Sequence, residues 1–182
     1  MTRWILVATA ALLLAPLAAG SQQSPQPYAG QEKRPLKALS AQQIADLEAG
    51  RGMGLALAAE LNGYPGPLHV LEFAEPLGLT PAQRERTQVL LESMKEEARA
   101  LGARVLAAEG ALDRQFASRS VTEASLREGV RDVAALQGDL RATHLKYHLA
   151  VAELLTPQQI ARYATLRGYG QAAPATPHHG RH

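Results

Sequence analysis

Residues 80–116 read TPAQRERTQVLLESMKEEARALGARVLAAEGALDRQF. Thr80 is a good N-cap, Pro81 suits the first helical position and Gln83 the third. Downstream, Leu90, Met94, Ala98, Leu101, Val105, Ala108, Leu112 and Phe116 recur at intervals of three or four, with charged residues between them. That period is one apolar face of an α-helix. It predicts a helix of about 35 residues, on the order of 50 Å long at about 1.5 Å per residue.

The same grammar repeats further along the chain. Ser118-Arg119-Ser120 interrupts the pattern, and Ser120-Val121-Thr122-Glu123 reads as a second start signal. A second stripe then follows: Leu126, Val130, Val133, Leu136, Leu140, His144, Tyr147, Val151 and Leu154. Thr156-Pro157-Gln158-Gln159 restarts the chain as a further helix ending near Arg167, before Gly168 and Gly170. Two long helices joined by a short turn predict an antiparallel helical hairpin, and the fold class expected is all-α. One hairpin leaves part of its apolar seam open. The N-terminal helix, a second copy in a homodimer, or both are expected to cover it.

Upstream, Ser40-Ala41-Gln42-Gln43 is a capping box that predicts a helix over 41–61, weakened by Gly50, Gly52 and Gly54. Gly63-Tyr64-Pro65-Gly66-Pro67 ends it, and a short helix is expected at 68–75. Residues 21–39 are polar and Pro-rich and are read as a flexible lead-in. The helical domain is thus expected over 40–168. Residues 169–182 are read as a disordered, solvated tail with His178, His179 and His182.

Residues 1–20, MTRWILVATAALLLAPLAAG, have the form of a secretory signal peptide. Arg3 is the charged start, Ile5 to Leu14 the apolar core, and Ala18-Ala19-Gly20 the small-residue cleavage region. The apolar stretch is shorter than the roughly 20 residues that span a bilayer. Periplasmic export, with no stable membrane insertion after cleavage, is the expectation; a leader retained as a membrane anchor is the alternative.

The 182 residues carry 19 Lys+Arg against 17 Asp+Glu, and no cysteine. Disulfides and thiolate chemistry are excluded. Aromatic residues make up 4% of the chain, and no basic cluster interleaves with them, so nucleic acid is not an expected partner. There is no P-loop, nucleophile elbow or HExxH, so no enzyme is expected. Gly50-Arg51-Gly52-Met53-Gly54 lacks the preceding strand of a phosphate loop and is read as a flexible helix segment.

The motifs Leu79-Thr80-Pro81-Ala82-Gln83 and Leu155-Thr156-Pro157-Gln158-Gln159 resemble the LTxxQ repeats of the Spy/CpxP family. The resemblance covers about residues 68–168. It implies a curved, often dimeric, helical hairpin in the periplasm. The family includes ATP-independent chaperones and heavy-metal-responsive members of the ZraP and CnrX type. Thr80, Gln83, Thr156 and Gln159 are expected to cap helices and lock the hairpin ends together, not to carry chemistry.

The candidate metal ligands lie elsewhere. His144 and His148 are four residues apart, one turn along the same helix face, and neutral imidazole suits Zn, Ni or Cu. Across a hairpin turning near residues 119–120, Glu92, Met94 and Glu96 are the expected neighbours. His69 and Glu72 would add ligands if the short helix folds back. The bland reading is a pair of partly buried histidines hydrogen-bonded to carboxylates.

Three functions follow as expectations. One is an ATP-independent chaperone for unfolded periplasmic proteins, with Met53, Leu55, Leu57 and Leu61 as adaptable contacts. The second is a heavy-metal-binding sensor or accessory protein using His144 and His148. The third is a partner of a sensor kinase's periplasmic domain.

Overall fold

A computed structural model describes residues 26–169. The signal-peptide segment and the tail histidines lie outside the described residues. Within them the fold is all-helical, with no strand. The helices are α1 (Ala41–Ala49), α2 (Leu57–Glu60), α3 (Pro67–Glu72), α4 (Pro81–Ala117), α5 (Glu123–Leu154) and α6 (Pro157–Leu166), preceded by a 3-10 turn at Gln31–Lys33. None of these helices is long and apolar enough to cross a membrane.

The long central pair, α4 and α5, organises the rest. Contacts run from Gln83 with Leu154 at one end, through Glu97 with Tyr147, to Leu112 beside Gly129 near the connection. Both LTPxQ motifs make complete capping boxes. Thr80 accepts from the Gln83 amide while Gln83 accepts from the Thr80 amide, and Thr156 and Gln159 do the same.

The two capping glutamines also bond each other. Gln83 Nε2 donates to Gln159 Oε1 at 2.9 Å, and Gln159 Nε2 donates back to Gln83 Oε1 at 3.1 Å. Gln83 Nε2 reaches the Leu154 carbonyl as well, and Gln159 Nε2 that of Leu77. This amide clasp ties the starts of α4 and α6 to the end of α5.

Three apolar clusters line the pair. Val70, Leu77, Val151, Leu155 and Tyr163 pack next to the clasp. Leu91, Met94 and Tyr147 fill the middle. Leu39, Leu47, Ala98, Val105 and Leu140 lie beyond, under α1. Leu36 packs beside Gly110 further along, while Phe116 and Val130 at the turn end are about half exposed (53% and 49%).

The continuous helix expected over 41–61 is broken. At Gly50 the backbone enters the left-handed region (φ 66°), which only glycine adopts without strain. A Cβ there would also lie 2.8 Å from the Lys95 carbonyl. On the facing helix a Cβ at Gly102 would run into the Leu47 carbonyl. The two glycines let the α1 backbone rest directly on α4. The chain then loops through Met53 (φ 45°) and Gly54 (φ 77°) and regains a single helical turn as α2.

Three smaller boundaries also differ from expectation. The short helix is Pro67–Glu72, not 68–75, because Pro67 occupies its first position and the chain leaves helical geometry at Phe73. The cap of α5 is Thr122 with Ser125, not Ser120 with Glu123. Arg119 turns the chain at φ 55°, and Ser120 bonds Ser118 instead. The packed unit also begins upstream of Ser40. Leu39 is in the core, Leu36 packs on it, and Lys37 pairs with Asp113 at 3.3 Å.

Candidate functional site

Between the α1–α3 region and the central pair lies a cavity of about 290 Å³. Gly52, Met53 and Gly54 supply one wall, Met94 and His144 another, and Glu60, Gly66, His69, His148, Arg167 and Tyr169 the rest. The break after Gly50 creates this space. An uninterrupted helix over 41–61 would carry the backbone straight past it.

His148 is 7% exposed, and its Nδ1 donates to the Tyr64 carbonyl at 2.7 Å. That bond places a proton on Nδ1. Gly66 presses against the ring. A Cβ at Gly66 would lie 2.8 Å from His148 Cε1, so this glycine serves close approach, its own backbone being ordinary extended chain.

His144 is 2% exposed, and its Nε2 is buried with no hydrogen-bond partner. The Nδ1–Cε1 edge faces Gly52, 3.8 Å from where a Cβ would stand. Burial first, and the neighbouring His148 second, push the His144 pKa below its ordinary value. The imidazole is therefore neutral at pH 7, with one donor and one acceptor nitrogen.

The wall opposite is held by Glu60, whose carboxylate is 6% exposed. Tyr163 and Tyr169 donate their hydroxyls to Oε1, and the Gly66 N–H donates to Oε2 at 3.2 Å. Arg167 Nε lies 3.3 Å away and balances the charge. His148 Nδ1 is 3.7 Å off, beyond hydrogen-bond reach, with its proton committed to Tyr64. Burial, then the bond to Glu60, raise the Tyr163 phenol well above its ordinary pKa, so it stays a donor.

The structure gathers His69, His144 and His148 around one cavity. Glu72 stays outside it, holding His69 Nδ1 at 2.8 Å from an exposed position. Of the neighbours expected across the pair, Met94 lines the cavity and the two carboxylates do not. Glu92 accepts from Gln88 and Lys95 at the surface, and Glu96 is exposed. Among the described residues, no three His, Asp or Glu side chains converge into a metal-sized cluster.

Sequence reasoning missed Glu60, Tyr163, Arg167 and Tyr169. One signal was present. Glu60 is the only Asp, Glu, Lys or Arg between Arg51 and Glu72, a lone charge in an apolar run. Tyr169, expected in the tail, is instead part of the cavity wall.

Met53, Leu57 and Leu68 also border the cavity, and all three are substantially exposed (41%, 54% and 45%). Leu61 and Tyr64, on the same segment, are exposed as well. Leu55 differs from that group, packing against the α1 cluster. Comparisons of the chain with protein-family models, with curated proteins and with solved structures give no match.

Proposed function

We propose that the chain is a periplasmic stress-response protein of the Spy/CpxP type, an ATP-independent chaperone built on an antiparallel helical hairpin that works as a homodimer. The observation that carries this reading is the exposed apolar segment of Met53, Leu57, Leu61, Tyr64 and Leu68. Contiguous apolar surface on a folded domain marks a place where another chain binds. The segment lies on short helical turns joined by glycines, so its contacts can adapt to varied clients. The paired LTPxQ caps and the signal-like leader support the family and the compartment.

The test is suppression of aggregation of a chemically unfolded model protein by the purified chain. Protection is expected near stoichiometric ratio. No protection at several-fold excess contradicts the reading.

A second reading, a periplasmic metal-binding sensor or accessory protein, is favoured by one observation. His148 and His69 each commit Nδ1 to an oxygen acceptor, which is how metal-ligating imidazoles are usually oriented. The imidazoles of His144 and His148 would be the first ligands for Zn, Ni or Cu. The ligand set is short of a carboxylate, so this reading stands second. It predicts that one of these ions raises the melting temperature by linkage. An unchanged melt with all three removes it.

A further inference from the structure

At the turn end the lead-in runs beside α4 and leaves a groove of about 450 Å³ between them. That volume falls within the roughly 300–1,000 Å³ of small-molecule sites. Leu36 and Ala38 form one wall. The floor is one face of α4, where Glu109, Leu112, Asp113 and Phe116 recur at the three- and four-residue spacing of helix neighbours. Leu112 bears on Gly129 of α5, and Leu36 on Gly110, so floor and wall are both anchored. Phe116 keeps about half its surface open (53%).

The groove is apolar apart from three charges. Lys37 pairs with Asp113 at 3.3 Å, which cancels two of them. Glu109 is partly buried and, among the described residues, has no ion-pair partner. Arg114 lies against Gly110 on the adjoining face of α4, and neither it nor Lys33 nor Arg34 lines the groove. Two carboxylates one turn apart, with a single ammonium between them, leave a net negative charge in apolar surroundings. An anion is repelled there. A neutral hydrocarbon would take water from Glu109 and give nothing back. An apolar cation covers the leucines, compensates Glu109 and gains from the face of the Phe116 ring.

We propose that this groove binds a primary alkylammonium of medium chain length, its chain against Leu36, Leu112 and Phe116 and its charge at Glu109. The site is independent of the chaperone and metal readings, which use the α1–α3 region and its histidines. A second copy of the chain is the competing occupant, because it too would bury Phe116.

The probe is octylammonium, titrated into the purified chain at low salt while the backbone amides of Gly110, Leu112 and Ala117 are followed by NMR. A saturable shift is expected, with a dissociation constant on the order of 1 mM for a ligand of this size. Octanol keeps the chain without the charge and should bind about three- to fivefold more weakly, the worth of a partly exposed ion pair. Octanoate should bind about tenfold more weakly, because repulsion adds to the lost attraction. Ethylammonium, which has the charge without the chain, should give no saturable shift. Glu109→Gln should bring octylammonium down to the affinity of octanol. Glu109→Lys should reverse the preference, so that octanoate binds better than octylammonium. Both substitutions introduce good helix formers, and circular dichroism checks that the variants fold.

Four results would overturn the proposal. The first is the absence of a saturable shift. The second is equal affinity for octylammonium and octanoate. The third is a preference that Glu109→Lys leaves unmoved. The fourth is a set of groove amides that respond to dilution of the protein and not to octylammonium, which would assign the groove to a second copy.

Discussion

Gln83 and Gln159 each do two jobs with one amide. The oxygen caps its own helix, and the nitrogen crosses to the other motif. Gln83→Glu separates the two. It keeps an acceptor for the Thr80 amide and removes the donors to Leu154 and Gln159. A loss of about 1–2 kcal/mol is expected in urea unfolding, with helix content unchanged. A loss below a few tenths would mean that the clasp is incidental. His144 gives a second residue-scale prediction. Its folded pKa is lowered from 6.5, so below that value the unfolded chain binds a proton that the folded chain refuses. Stability therefore falls as pH drops from about 6.5 toward the lowered folded pKa, and it is retained above. His144→Leu should remove this part of the pH dependence and leave stability at pH 7 equal or up to about 1 kcal/mol higher. His69, Glu60 and Arg167 surround the cavity in both chains, so the difference between wild type and variant reads His144 together with its interaction with His148. The caps were legible because capping is local chemistry, completed within three residues. The partners of Glu60 were not legible. Tyr163 and Tyr169 lie more than a hundred residues away, and nothing local encodes that meeting.

At the level of elements, α4 was readable nearly to its ends, because one long stripe and one cap leave no competing reading. The stretch 41–61 was not. Glycine was recognised there as a weakness, yet weakness alone does not distinguish a strained helix from a turn. What decides it is the other side of the contact, where α1 docks on Gly102 and its C-terminal glycine takes the left-handed state. Gly102→Ala tests this docking. The added methyl meets the Leu47 backbone, which cannot rotate away as a side chain would. A destabilisation of about 1–3 kcal/mol is expected despite the better helix propensity of alanine. Amide exchange should quicken most in α1. A stabilised variant would mean that α1 does not sit on α4 as described. The end of the lead-in differs from expectation for a related reason. A polar, Pro-rich composition gives no signal for Leu36 and Leu39, which pack on the core.

Over the whole molecule, apolar cover is uneven. The clasp end and the middle of the pair are packed, while Phe116 and Val130 at the turn end and the side chains of Met53, Leu57, Leu61, Tyr64 and Leu68 are exposed. The proposed dimer has the turn end available to it. Light scattering should then give a dimer at micromolar concentration, and Phe116→Ser with Val130→Ser should shift it toward monomer, whereas a wild-type monomer would remove the dimer from the account. The other uncovered surface carries the central claim, that unfolding chains are held on the segment beside the cavity. It is tested by comparing wild type with the triple variant Leu57→Ser, Leu61→Ser, Leu68→Ser in aggregation suppression. All three positions are exposed, so each substitution should cost little stability, within about 0.5 kcal/mol. The account predicts loss of protection with the melting temperature essentially unchanged; full protection by the folded triple variant would contradict it.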